Sequence, residues 1–229
     1  MKTLGLIGGT TWHSTVDYYK LINAMVAERL GGLQAARLIL YSMNFHEFYH
    51  DNQSGGWPAS ERFLSRIAQK LEAAGADGLM LCANTPHMAA PAVQDSIGIP
   101  LIHIVEATAR EISKQGQSRV ALLGTVFTME QPFYREIMAK ANIEIVVPEE
   151  PVRDWIHNTI VHEFGQGIFT DETRQEYLRI MESFKTAGAQ GVILGCTEIP
   201  MLIKPEACPL PAYDTTVIHC KAAVDWMLG

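Results

Sequence analysis

The segment "AGADGLMLCANT" (74–85) returns as "AGAQGVILGCTE" (187–198). In each, a helix end and a glycine turn lead into a short apolar strand that stops at a polar elbow. A second pair repeats in the same order. "GLIGGTTWHSTVDYYKLI" (5–22) matches "ALLGTVFTMEQPFYREIM" (121–138), with Gly8 opposite Gly124 and Tyr18 opposite Tyr134. Two matches in the same order point to one strand–helix unit used twice. The rest of the chain agrees. Apolar runs read as strands at "TLGLIG", "ARLILYSM", "DGLMLC", "IPLIHIV", "RVALLGT", "IEIVVP", "GVILGC" and "LPAYD". Helical periodicity falls between them, as in "ASERFLSRIAQKLEAAG", where Phe63, Leu64, Ile67 and Leu71 share one face. Ser14 or Thr15 is placed to cap the first helix, and Gly31 with Gly32 to stop it.

Strands alternating with helices predict an α/β fold with mostly parallel sheets, built here as two pseudo-symmetric, duplicated α/β domains. The expected domains are residues 1–99 together with 210–229, and residues 100–209, joined near "GIPLIHIV". A site is expected in the interdomain cleft, at the carboxyl ends of the strands.

Composition removes several function classes. Net charge is −7 with Lys and Arg scattered, so no basic stripe exists for nucleic acid. No apolar run approaches the ~20 residues of a membrane span, and "MKTLGLIGGT" is too short of apolar residues for a secretion signal. A cytoplasmic location with reduced thiols is the expectation. The four cysteines, Cys82, Cys196, Cys208 and Cys220, contain no C-x-x-C, which argues against structural zinc. "GLIGG" lacks the third glycine of a dinucleotide fingerprint, and no acidic residue ends the second strand.

The repeat has a pointed consequence at the elbows. Cys196 falls opposite Ala83, and Cys82 falls opposite Gly195. Neighbouring strand residues face opposite ways. The two thiols are therefore one step out of register and are not expected to form a pair.

"GLIGGTTWHSTVDYYKLIN", "CANTPH", "LGTVFTMEQPFY" and "ILGCTEIP" together resemble the aspartate/glutamate racemase family, most closely its aspartate racemase branch and the broad-specificity amino-acid racemases near it. The resemblance spans essentially the whole chain. It implies a cofactor-independent amino-acid racemase, with no pyridoxal phosphate and no metal, acting on aspartate, glutamate or a broader set. In that family a cysteine from each domain flanks the substrate α-carbon, one as thiolate base and one as thiol acid. Here Cys196 fits the second motif, while Ala83 stands where the first motif carries its cysteine. Three routes are open for the opposite face: Cys82 rotating in, a water held by Asn84 or Thr85, or a site competent with one enantiomer only. Thiolates are stabilised at helix N-termini, and the elbows' N–H groups, with Asn84, Thr85 and Thr197, suit an α-carboxylate. Thr10 and Thr125 follow the glycine-ended strands and are candidates to line the cleft. Glu198 is a candidate to orient Cys196 or to hold the substrate ammonium, with helix capping as the plainer role. Where the family often carries a basic residue for the side-chain carboxylate, this chain offers neutral Asn52, Gln53 and Gln166, with His50 the nearest cation. Asp214 and His219 match a family pattern near the cleft, against a plainer reading as helix cap and packed core.

Two other functions compete. One is a single-cysteine lyase, in which Cys196 protonates the carbanion left by decarboxylation. The other is a catalytically impaired binder of an amino acid or dicarboxylate. The family also implies a homodimer, to which the apolar "YYKLINAMV" is suited.

Overall fold

Apolar runs of four or five residues, each closed by a glycine or a polar elbow, are long enough to be strands and too short to be helices. A computed structural model describes residues 1–229 and places them as the centres of two parallel sheets. The first half runs β1 (Leu4–Gly8), α1 (Trp12–Leu30), β2 (Leu38–Ser42), α2 (Phe45–Ala73), β3 (Gly78–Leu81), a 3-10 turn at Thr85–Ala89 and α3 (Ala90–Asp95). Helix α4 (Ile104–Lys114) leads to β4 (Arg119–Leu123), α5 (Val126–Glu130), α6 (Pro132–Lys140), β5 (Glu144–Val146) and α7 (Glu150–His162). A 3-10 turn at Phe164–Gln166 precedes α8 (Asp171–Thr186), β6 (Gly191–Leu194), α9 (Ile199–Leu202), a 3-10 turn at Pro205–Ala207, β7 (Ala212–Asp214) and α10 (Thr215–Leu228).

The first sheet has the order β2-β1-β3 and the second β5-β4-β6-β7, with every pairing parallel. Each half places its second strand outside its first and its third on the other side. That shared order is the topological form of the sequence repeat. Parallel strands buried on both faces read as continuous apolar runs, and β3 and β6 are buried throughout.

The chain divides into two compact units, Met1–Ile104 with His219–Gly229, and Val105–Ile218. The second sheet extends past residue 210, where the expected boundary lay, because β7 pairs with β6 through Val192–Ala212, Ile193–Tyr213 and Leu194–Asp214. Helix α10 then sends Cys220, Ala223, Val224 and Met227 into the core of the first unit, against Leu4, Leu6, Tyr18, Ile22 and Val26.

Several local expectations change, each for a stated reason. "IPLIHIV" contributes one bridge, Leu79 to Leu101, instead of a full strand, because α4 already begins at Ile104. The N-cap of α1 is Thr11, whose hydroxyl accepts from Ser14 N–H; Thr15 instead accepts from Gly9 N–H at 2.8 Å. The stretch "FYHDNQSGGW", which carries His50, Asn52 and Gln53, is helical, capped by Asn44 and kinked at Gly56 (φ 64°) just before Pro58. The helical stretch between β4 and β5 is split at Gln131, because Pro132 opens a new helix and holds the residue before it extended. No helix is long and apolar enough to cross a membrane.

Candidate active site

Both elbows are built alike by backbone alone. Cys82 N–H donates to Ile7 O at 2.9 Å, and Gly195 N–H donates to Leu123 O at 2.7 Å. His87 N–H then closes a turn on Asn84 O, and in the second elbow Ile199 N–H closes a turn on Cys196 O, one residue earlier in the repeat. Cys82 is thus the counterpart of Gly195, and Ala83 the counterpart of Cys196. A side chain at 195 would collide with the sheet, since its Cβ would lie 2.8 Å from Leu123 O. Glycine there lets β6 turn sharply and present residue 196 beyond the strand end.

In the second unit the structure gathers Cys196, Thr197 and Glu198, with Thr125 after the neighbouring strand β4. The Cys196 thiol donates to Glu198 Oε2 at 2.9 Å, and Thr197 Oγ1 donates to the same oxygen at 2.8 Å. Glu198 is buried beside them. Burial, then the Glu198 charge and its hydrogen bond, hold the Cys196 thiol well above its ordinary value, while the backbone N–H groups of Glu198 and Thr197 act the other way. The resting form is a protonated thiol aimed at a carboxylate that can receive its proton. Glu198 thus receives hydrogen bonds from both neighbours; it also stands at the N-cap position of α9 but makes no side-chain cap bond there. Thr125 caps α5 by accepting from Thr128 N–H at 3.2 Å, which commits its hydroxyl in part to structure.

In the first unit, Thr10 follows β1 and Ala83, Asn84 and Thr85 follow β3, on strands paired Ile7 to Leu81. Ala83 and Asn84 are buried. The Ala83 carbonyl accepts from His87 Nδ1 at 2.8 Å, and Ile104 N–H donates to His87 Nε2 at 3.2 Å. An amide N–H only donates, so the ring proton sits on Nδ1. Burial, with His103 and His219 close by, lowers the His87 pKa well below its ordinary value, keeping it neutral. His219 donates from Nε2 to Ile102 O at 2.7 Å and shares a 3.1 Å bond with the Tyr18 hydroxyl. These two imidazoles grip the crossover at Ile102 and Ile104.

Other candidates lie elsewhere. Cys82 packs with Leu4, Leu6, Tyr18 and Met80 in the core, and burial alone lifts its thiol far above the ordinary range. Strand alternation places it in the core, one residue before the elbow position held by Ala83. Asn52 donates to Ser60 Oγ at 2.8 Å, bridging the kink in α2, so its amide is engaged within the helix. Gln166 is exposed on the turn after α7. His50 is exposed. Asp214 caps α10, accepting from Thr216 and Val217 N–H, and His219 is fully buried, so both carry structural roles. No cluster of three or more His, Cys, Asp or Glu residues is arranged to hold a metal ion.

Two histidines escaped the sequence reading as individual residues. His87 sits inside the quoted "CANTPH", but its task depends on Ile104, 17 residues on. His157 accepts from Val126 N–H at 3.4 Å, at the elbow beside Thr125, across a separation of 31 residues. No local pattern announces either contact.

The comparisons with known proteins agree with this architecture. The family described as Asp/Glu/Hydantoin racemase matches residues 7–223. The broad specificity amino-acid racemase RacX of Bacillus subtilis is 26% identical over 162 residues, 71% of this chain and 70% of RacX. A crystal structure from Yersinia pestis with a provisional Asp/Glu racemase assignment superposes with a TM-score of 0.94 at 42% identity, covering 100% of both chains. An aspartate racemase homologue from Pyrococcus horikoshii gives a TM-score of 0.87 at 34% identity, again over 100% of both. With its duplicated parallel sheets and the Cys196 elbow, this chain belongs to the Asp/Glu/hydantoin racemase family.

Proposed function

We propose that the chain is a cofactor-independent amino-acid racemase of the aspartate/glutamate type, with Cys196 as its proton-transfer residue and Ala83 leaving the opposite face without a thiol. The observation that carries this reading is the Cys196–Glu198 pair, a buried thiol hydrogen-bonded to a carboxylate and backed by two backbone N–H groups. As thiolate, Cys196 takes the α-proton to become a thiol, and the electron pair left on the α-carbon delocalises into the α-carboxylate. Backbone N–H groups and the hydroxyls of Thr85 and Thr197, with the Asn84 amide, are the proposed ligands of that carboxylate. Return of the proton by Cys196 to the same face gives exchange without inversion. Inversion needs a proton from the other face, where Ala83 offers only a methyl and a water beside Asn84 or Thr85 is the remaining donor. The reading requires the two elbows to address one substrate.

The test is α-proton exchange followed by NMR in D₂O, with L- and D-aspartate and L- and D-glutamate offered separately. Expected is faster exchange of one enantiomer than of its mirror image, with inversion slower than exchange, and loss of both in Cys196→Ala. Exchange that survives in Cys196→Ala overturns the assignment, and absence of exchange with all four sinks the aspartate/glutamate reading. Release of carbon dioxide from malonate-type acids, abolished by Cys196→Ala, would favour the lyase. Thermal stabilisation by an amino acid without exchange would favour the binder. We further propose a homodimer through α1, where Trp12, Val16 and Tyr19 form an exposed apolar stripe at helical spacing. Sedimentation velocity reads this directly, and a monomer at micromolar concentration refutes it.

A further inference from the structure

Building on the racemase reading, we propose that His157 recognises the distal carboxylate of a dicarboxylic amino acid and so sets substrate choice. The placement follows from the second sheet. Strands β4 and β6 are neighbours, with Leu123 opposite Leu194. A Cβ at Gly124 would lie 3.0 Å from Gly195 O, so the two elbows run in contact. Val126 therefore stands on the elbow beside the one that carries the thiol, and Val126 N–H donates to His157 Nδ1 at 3.4 Å.

That bond decides the chemistry of the ring. An amide N–H cannot accept, so Nδ1 is the acceptor and the proton rests on Nε2. The free edge of the imidazole is thus a donor, held by backbone on a half-buried ring. Phe127 packs edge-on against it, 6.2 Å between centroids, which further limits its rotation. Burial lowers its pKa, with Asp154 opposing and His162 adding to the shift, so the Nε2–H donor form prevails near neutrality.

The arginine nearest to His157 on α7 is already engaged. Arg153, one turn earlier on α7, binds Glu130 at 2.9 Å and Pro148 O at 2.7 Å. The thiol elbow itself carries the acidic Glu198. A substrate carboxylate beyond the α-carbon then finds at His157 a positioned donor that forms a charge-assisted bond. An amino acid without that carboxylate leaves the donor to water.

Calorimetric titration of the full chain with L- and D-aspartate, and with L- and D-alanine, tests this apart from catalysis. His157→Ala is expected to weaken the preferred aspartate enantiomer about tenfold and to leave alanine unchanged. His157→Gln, which restores an amide donor near the Nε2 position, is expected to recover most of the loss. Equal losses for aspartate and alanine, no loss for aspartate, or a wild type that binds neither aspartate enantiomer would each overturn the proposal. The D₂O exchange assay on the same samples separates the two readings. Aspartate binding that depends on His157 without any exchange sinks the racemase and keeps the specificity residue.

Discussion

His87 offers a quantitative test of how the first elbow is held. The ring is fully buried and both nitrogens are engaged, Nδ1–H to Ala83 O at 2.8 Å and Nε2 from Ile104 N–H at 3.2 Å. Protonating Nε2 would set two donors face to face. In the unfolded chain the same imidazole titrates near ~6.5. Below that pH the unfolded state binds a proton that the folded state refuses, so stability is present above about 6.5 and lost as pH falls. At pH 5.5, one unit below the unfolded value, the loss is RT ln(1 + 10), about 1.4 kcal/mol, and at pH 7.5 it is close to zero. His87→Gln removes the titration. Its absolute stability drops by about 1–3 kcal/mol for each buried partner left unsatisfied, but its pH dependence flattens. Urea unfolding of both proteins at pH 7.5 and 5.5 measures the difference, and all other titrating groups cancel between them. The wild type should lose about 1.4 kcal/mol more than the variant over this interval. Equal losses would mean that His87 titrates alike in both states, and the tautomer deduced from its two bonds would be wrong.

Three further perturbations address the chemistry. Ala83→Cys places a thiol at the backbone position equivalent to Cys196, and should raise the ratio of inversion to exchange about a hundredfold or more in the D₂O assay, the scale of one positioned acid or base. Glu198→Gln removes the charge beside Cys196 and should lower its pKa, read as faster iodoacetamide alkylation at a given pH; burial is the larger cause, so the thiol stays above its ordinary value. Cys82→Ala should leave exchange intact and destabilise the fold by about 1 kcal/mol in urea unfolding, as expected of a small core truncation.

What the sequence disclosed depends on how far each cause reaches along the chain. The strands β1, β3, β4 and β6 were readable because burial on both faces makes their apolar runs continuous. The split of α5 from α6 lies in Pro132, a signal present but outvoted by the helical periodicity around it. The helical start of α2 was hidden by two glycines and a proline; the backbone leaves helical geometry at Gly56 and resumes it beyond the kink. Leu101 pairs with Leu79, a contact its own flanking residues cannot announce.

The elbows show the same division more sharply. Strand alternation and the repeat were enough to separate Cys82 from Cys196, because a one-residue slip moves a side chain to the other face of a sheet. The structure puts Cys82 among Leu4, Leu6 and Met80 and holds it to the sheet through the bond that Gly195 makes in the other half. A thiol at 82 is thus accounted for by packing, and the alanine at 83 by nothing in its surroundings. The elbow around Ala83 nevertheless keeps its turn, its buried asparagine and the histidine that grips its carbonyl. Those features fix backbone geometry through groups other than the side chain of residue 83. If Ala83 is the reason for a one-handed site, its effect is confined to proton delivery, and binding of both enantiomers should survive. Calorimetric titration of wild type and Ala83→Cys with each aspartate enantiomer decides this: affinities within about threefold between the two proteins fit a purely chemical defect, whereas a large gain in affinity on adding the thiol would place residue 83 among the binding groups instead.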